Sequence, residues 1–185
     1  GDFGQRLVDA MQATNTDLRQ LVAEYHDNRR MATTMVSLAV QGNRGHIANV
    51  GDSRGYHWRR GLLKQVTEDQ SLVAKLVKEG AITELEAENH PHKNVILYSI
   101  GSERHPQIDL FTIELRENDQ VLLCSDGLTR HVSDAEISAI MERQAPEQAT
   151  QTLIDLANER GGEDNITAAI MRFDKITAVS DPDLE

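Results

Sequence analysis

Apolar residues recur along the 185-residue chain at two different periods. Phe3, Leu7, Val8, Met11, Leu18, Leu21, Val22 and Tyr25 share one helical face, which predicts a helix beginning almost at the first residue. Polar residues 26–30 interrupt it as a loop. Residues 33–40 (TTMVSLAV), 44–50 (RGHIANV) and 53–58 (SRGYHW) are then rich in β-branched and aromatic side chains. Gly42-Asn43 and Gly51-Asp52 separate them, so three short strands joined by tight turns are expected. Such short links exclude parallel crossovers and point to antiparallel pairing. Residues 62–66 read as a further edge strand.

The middle of the chain changes to a helical period. Leu72, Val73, Leu76 and Val77 line one face of a helix that Gly80 should stop. Thr83, three residues before Glu86, forms the pattern of a capping box for a second short helix ending near the polar stretch NHPHKN, read as a surface loop. Residues 95–100 suggest a short extended piece. Residues 108–115 (IDLFTIEL) alternate as a half-buried strand, and Glu117-Asn118-Asp119 turns the chain into a strand over 120–125. Ser133 with Glu136 is another capping box, and Pro146 opens a longer helix with Ala149, Leu153, Leu156 and Ala157 on one face, ended by Gly161-Gly162. Residues 166–173 are the last strand, and the acidic tail VSDPDLE is expected to fray. Strands early and late with helices between them describe an α+β layered fold.

Charge and composition narrow the function. A length of 185 residues is most simply one domain with a sizeable core. The net charge of -11 argues against a nucleic-acid or anionic-membrane partner, and no nucleic-acid-binding motif is present. It leaves carboxylates available to hard cations such as Mg2+, Mn2+ or Ca2+. The one cysteine, Cys124, lies in an apolar run and reads as a small buried hydrophobe. No signal peptide or run of 18 apolar residues occurs, so a soluble cytoplasmic protein is expected.

Three aspartates stand at strand ends beside glycine: Asp52 in NVGDSR, Asp126 in LLCSDGL and Asp164 in GGEDNI. Glycine lets the backbone approach closely, and a short carboxylate at a sheet edge points outward. Such residues either cap their own turns or, brought together, hold a cation that relieves their repulsion. Other chemistries find less support. His90 and His92 lack partners at zinc spacing, Ser53, Ser99 and Ser125 lack a nucleophile-elbow context, and the Gly-rich stretch 42–55 lacks a phosphate-loop lysine.

Six segments together resemble the metal-dependent protein serine/threonine phosphatases of the PP2C type, the PPM family, and look most like its compact bacterial members. They are MATT at 31–34, NVGDSRGY at 49–56, VTEDQS at 66–71, LVKEGAIT at 76–83, LLCSDGLT at 122–129 and LANERGGEDNIT at 156–167, in the family's order across nearly the whole chain. The resemblance implies a four-layer α-β-β-α sandwich, two central antiparallel sheets flanked by helices, over residues 1–174, with 175–185 a disordered tail. It implies two Mn2+ or Mg2+ ions whose bridging water attacks the phosphorus of phosphoserine or phosphothreonine. Asp126 and Asp164 match ligands of the second ion, and Asp52 matches a carboxylate that with Asp126 holds a third ion in bacterial members. Asn165 shapes its loop, and residues 90–94 fall in the flap beside the family's active site, with a plain surface loop as the alternative. Phosphorylated proteins, and serine/threonine kinases acting on them, are the implied partners.

The chain departs from the pattern in three places. Gln70 stands where the family usually has His, and Ala32 where it has Gly; neither position is a family ligand. The family's opening strand, with an R-x-x-N-E-D-like segment and a D-G-x-G-G motif whose aspartate bridges the ions, has no counterpart, since GDFGQ at 1–5 has the wrong order. The expectation is therefore a piece of a longer active phosphatase that is inactive by itself, with a pseudophosphatase or phosphoprotein-binding scaffold as the alternative. A sandwich lacking its opening strand would be less stable or self-associating, whereas the complete protein is expected to be monomeric.

Overall fold

The computed structural model describes residues 2–24, 31–162 and 164–177; the expected loop at 26–30 and the tail beyond 177 lie outside the described residues. The elements run α1 (Phe3–Glu24), β1 (Met35–Gln41), β2 (Arg44–Val50), β3 (Arg54–Arg59), β4 (Leu62–Gln65), α2 (Leu72–Lys78), α3 (Glu84–Glu88), β5 (Asp109–Glu114), β6 (Gln120–Cys124), α4 (Asp126–Thr129), α5 (Asp134–Arg143), α6 (Pro146–Glu159) and β7 (Ala168–Arg172). They build two antiparallel sheets, ordered β1-β2-β5 and β4-β3-β6-β7.

Side-chain alternation explains the layers. On β2, Ala48 and Val50 pack with Met11 of α1 and Ile100, while Ile47, pointing the other way, meets Leu115, Val121 and Phe173 between the sheets. Both faces of β2 are covered, which is why residues 45–50 are all buried. On β6, Leu122 and Cys124 join Tyr56, Ile137, Met141, Leu153 and Ala157 beneath α5 and α6, while Val121 and Leu123 face the inter-sheet core. Helix, sheet, sheet and helix therefore stack as four layers.

Local chemistry sets the helix starts. Thr83 and Glu86 close a capping box on α3. At α5, the Ser133 N–H and hydroxyl both donate to Glu136 Oε2, at 3.0 and 2.7 Å. Ser71 Oγ accepts from the Ala74 N–H at 3.2 Å to start α2, and Gly80, at φ 71°, follows its end.

Two strand pairings differ from the sequence reading. β3 does not pair with β2; after Gly51, at φ 101°, the chain crosses to the other sheet, so the turn at 51–53 sits at the sandwich rim and is not a hairpin. Residues 95–100 form two isolated bridges, Ser71 with Ile96 and Thr33 with Ile100, because the segment changes partner before a ladder can build.

Candidate metal site

β6 buries its side chains and ends at Cys124, and the next two residues fasten a second loop to it. Ser125 Oγ donates to the Asn165 carbonyl at 3.1 Å and accepts from the Thr167 N–H at 3.0 Å, while the Ser125 N–H donates to the Thr167 carbonyl at 3.0 Å. Gly127 completes the clip, since a Cβ there would stand 2.6 Å from the Asn165 carbonyl oxygen. The glycine after Asp126 is thus required by the approach of the 164–167 backbone. Asp126 opens the short helix α4, which the sequence reading missed, and Asp164 faces it from the other loop.

Between the two carboxylates stands Arg130, at the end of α4. Its Nη2 pairs with Asp126 Oδ2, and its Nη1 donates to Asp164 Oδ2 at 3.3 Å. Asp164 also behaves as a turn residue, its Oδ1 accepting from the Asn165 N–H at 2.8 Å. The two roles use different oxygens.

Asp52 enters from the rim turn between β2 and β3, and it is 8 % exposed. Burial first, and then the negative charge of Asp126, push its carboxyl up to about 6, against the opposing pull of its own backbone hydrogen bond and of Arg130. That loop is locked by Gln70, whose Oε1 accepts from the Gly51 N–H at 2.8 Å and whose Nε2 donates to Asp109 Oδ2 at 2.7 Å. Gln70 also donates its own N–H to the Gly51 carbonyl at 3.0 Å. Thr34 and Ser53 hydroxyls meet at 2.9 Å on the other side.

Below the turn, Arg54 grips both oxygens of Asp69, Nε donating to Oδ1 at 2.9 Å and Nη2 to Oδ2 at 2.7 Å. Its Nη1 donates to the Tyr56 hydroxyl at 3.1 Å, which donates to Asp134 Oδ1 at 3.1 Å. This chain ties the loop after β4 to the start of α5 beneath the acidic rim.

Asp52, Asp126 and Asp164 all line one open groove of about 1500 Å³, which continues past α2 and α3 to Lys93 and Asn94. The donors are carboxylate oxygens, the set that hard divalent cations take, and the Asp126 charge adds to burial, the larger cause, in raising the Asp52 carboxyl. The chemistry fits such an ion, although no three His, Cys, Asp or Glu side chains among the described residues are gathered closely enough to form a complete site. The three aspartates named from the sequence all line this groove; the roles of Arg130, which pairs with two of them, and of Gln70, which holds the Gly51 backbone beside Asp52, were not foreseen. Arg130 lies four residues after Asp126, a spacing that signals pairing on a helix. Gln70 carries no local signal, because its partners lie 19 and 39 residues away.

No family model matches the chain. Individual proteins do. The serine/threonine phosphatase stp of Listeria monocytogenes is 38% identical over 169 residues, covering 91% of this chain and 67% of that protein. The crystal structure of the Mycobacterium tuberculosis serine/threonine phosphatase PstP/Ppp superposes with a TM-score of 0.89 at 35% identity, covering 95% of this chain and 74% of that one. A structure of the catalytic domain of serine/threonine protein phosphatase PstP in complex with two manganese ions superposes with a TM-score of 0.80 at 36% identity, over 92% of this chain and 71% of that one. The chain spans about two thirds of the length of the curated Listeria relatives it matches. With the same four-layer sandwich, and with this level of identity over nine-tenths of its residues, the chain belongs to the PPM/PP2C family of bacterial serine/threonine phosphatases.

Proposed function

We propose that the protein hydrolyses phosphoserine and phosphothreonine in phosphorylated proteins, with Asp126 and Asp164 holding one divalent ion and Asp52 with Asp126 a further one. The observation that carries this reading is the clip at Ser125 and Gly127, which brings two acidic loops together at the mouth of an open groove. Mn2+ or Mg2+ is the cofactor, with Asp126 and Asp164 holding one of two catalytic ions and Asp52 with Asp126 the further, third ion. Bound there, the ions supply an activated water and neutralise charge on the phosphoryl oxygens.

The chain's own residues orient the ligands. Gln70 fixes the Asp52 turn, the Ser125 clip fixes Asp126 against Asp164, and the Arg54–Asp69 pair holds the floor rigid. The groove runs from the acidic rim to Lys93 and Asn94 and accommodates an extended phosphopeptide; the substrates are phosphoproteins, and the kinases that modify them act on the same pool.

The test is phosphate release from a phosphothreonine peptide by the intact protein. Release that requires Mn2+, stops with EDTA and falls at least about 100-fold in Asp126→Asn supports the reading; metal-independent release contradicts it. One observation favours a second reading, a phosphoprotein-binding protein without turnover: Arg130 fills the space between Asp126 and Asp164, and no three-ligand cluster forms among the described residues. Saturable peptide binding without any release at high Mn2+ would select it.

A further inference from the structure

The acidic rim already contains a cation. The Arg130 guanidinium spans Asp126 and Asp164, pairing with Oδ2 of each. Asp164 gives its other oxygen to the Asn165 N–H, so Oδ2 is the oxygen left to a groove ligand. A guanidinium fork and a divalent ion compete for the same carboxylate lone pairs, and one space cannot hold both charges.

We propose that Arg130 is an internal competitor of the divalent ion: it neutralises and aligns Asp126 and Asp164 in the metal-free protein and swings into the groove when an ion loads. The proposal rests on the phosphatase reading of this site. Three features support it. The Arg130 side chain is 36% exposed and lines the groove, so it has somewhere to go. Its backbone N–H is anchored on the Asp126 carbonyl at 3.0 Å, so only the side chain needs to move. Both of its bridges are partly exposed, so solvent screens them and leaves them displaceable. Arg54 has the opposite design, a bidentate pair with a tyrosine hydroxyl behind it.

The experiment is Mn2+ binding, read by calorimetry and by paramagnetic broadening of the Asp126 and Asp164 amide signals, in the wild type, Arg130→Gln and Arg130→Lys. Removing the competing charge should tighten Mn2+ binding in Arg130→Gln by on the order of tenfold. Arg130→Lys, which keeps the charge but not the fork, should fall between. In EDTA the thermal midpoint of Arg130→Gln should lie below that of the wild type, because two facing carboxylates lose their counter-charge. A residue of purely structural importance would lower the midpoint without tightening metal binding. Equal or weaker Mn2+ binding by Arg130→Gln overturns the proposal, and if both proteins bind Mn2+ the phosphatase reading stands. Binding by neither overturns both.

Discussion

A methyl group at Gly127 would stand 2.6 Å from the Asn165 carbonyl oxygen, so Gly127→Ala must push the two acidic loops apart. We expect it to cost about 1–3 kcal/mol of stability and to weaken Mn2+ binding more than an equally destabilising core change such as Leu153→Ala. Parallel calorimetric titrations check this, and equal losses would contradict it. A second residue, Asp119, reports on acid stability. Burial alone would raise its carboxyl, but hydrogen bonds from Arg59, from His57 and from the Arg116 N–H outweigh it and hold it below the usual carboxylate range. With the folded value lowered, the unfolded state binds the extra proton; the stabilisation is complete above the unfolded value near ~4 and is lost as pH falls through the folded one. Asp119→Asn should therefore be less stable at pH 7 and lose less on acidification; a pH dependence as steep as the wild type's would contradict the assignment. At this scale the sequence made the three aspartates legible, because strand end, glycine and carboxylate are adjacent in the chain. Arg130 and Gln70 were not, because their roles depend on where distant loops meet.

Elements whose boundaries are set by local hydrogen bonds were the most legible. The boxes at Thr83 and Ser133 and the proline in the first turn of α6 start their helices where the residue pattern put them. The crossing of β3 to the second sheet was not legible, since a Gly-Asp turn serves a hairpin or a sheet switch equally well and the choice is made by the packing of β3 on β6. The helix α4 escaped notice because four residues carry no period. The junction of β6 and α4 gives a third prediction. Ser125→Ala removes one accepted and one donated hydrogen bond between the acidic loops, at a cost of about 1–2 kcal/mol. It should lower Mn2+ affinity while leaving the far-ultraviolet spectrum unchanged; unchanged affinity would mean the loops are held by backbone alone.

Across the whole molecule, two sheets share one inter-sheet core while helices cover their outer faces, and the acidic rim lies where the turn at 51–53 passes between them. Among the described residues β1, β4, β5 and β7 are edge strands, and Met171 on β7 is 49% exposed. Unpaired edges with apolar side chains favour strand pairing between copies, so this 185-residue chain should self-associate with concentration; sedimentation showing a monomer throughout would contradict that. The residue pattern gave an α+β layered fold and left the layer order open, the four layers being implied by the family resemblance, and which edges stay open could not be read from periodicity. The central claim concerns the rim, and anomalous diffraction from crystals soaked in Mn2+ tests it most directly. The account predicts a manganese peak between Asp126 and Asp164, with the Arg130 side chain displaced into the groove. A soaked crystal with no peak there and Arg130 still bridging the two carboxylates would contradict it.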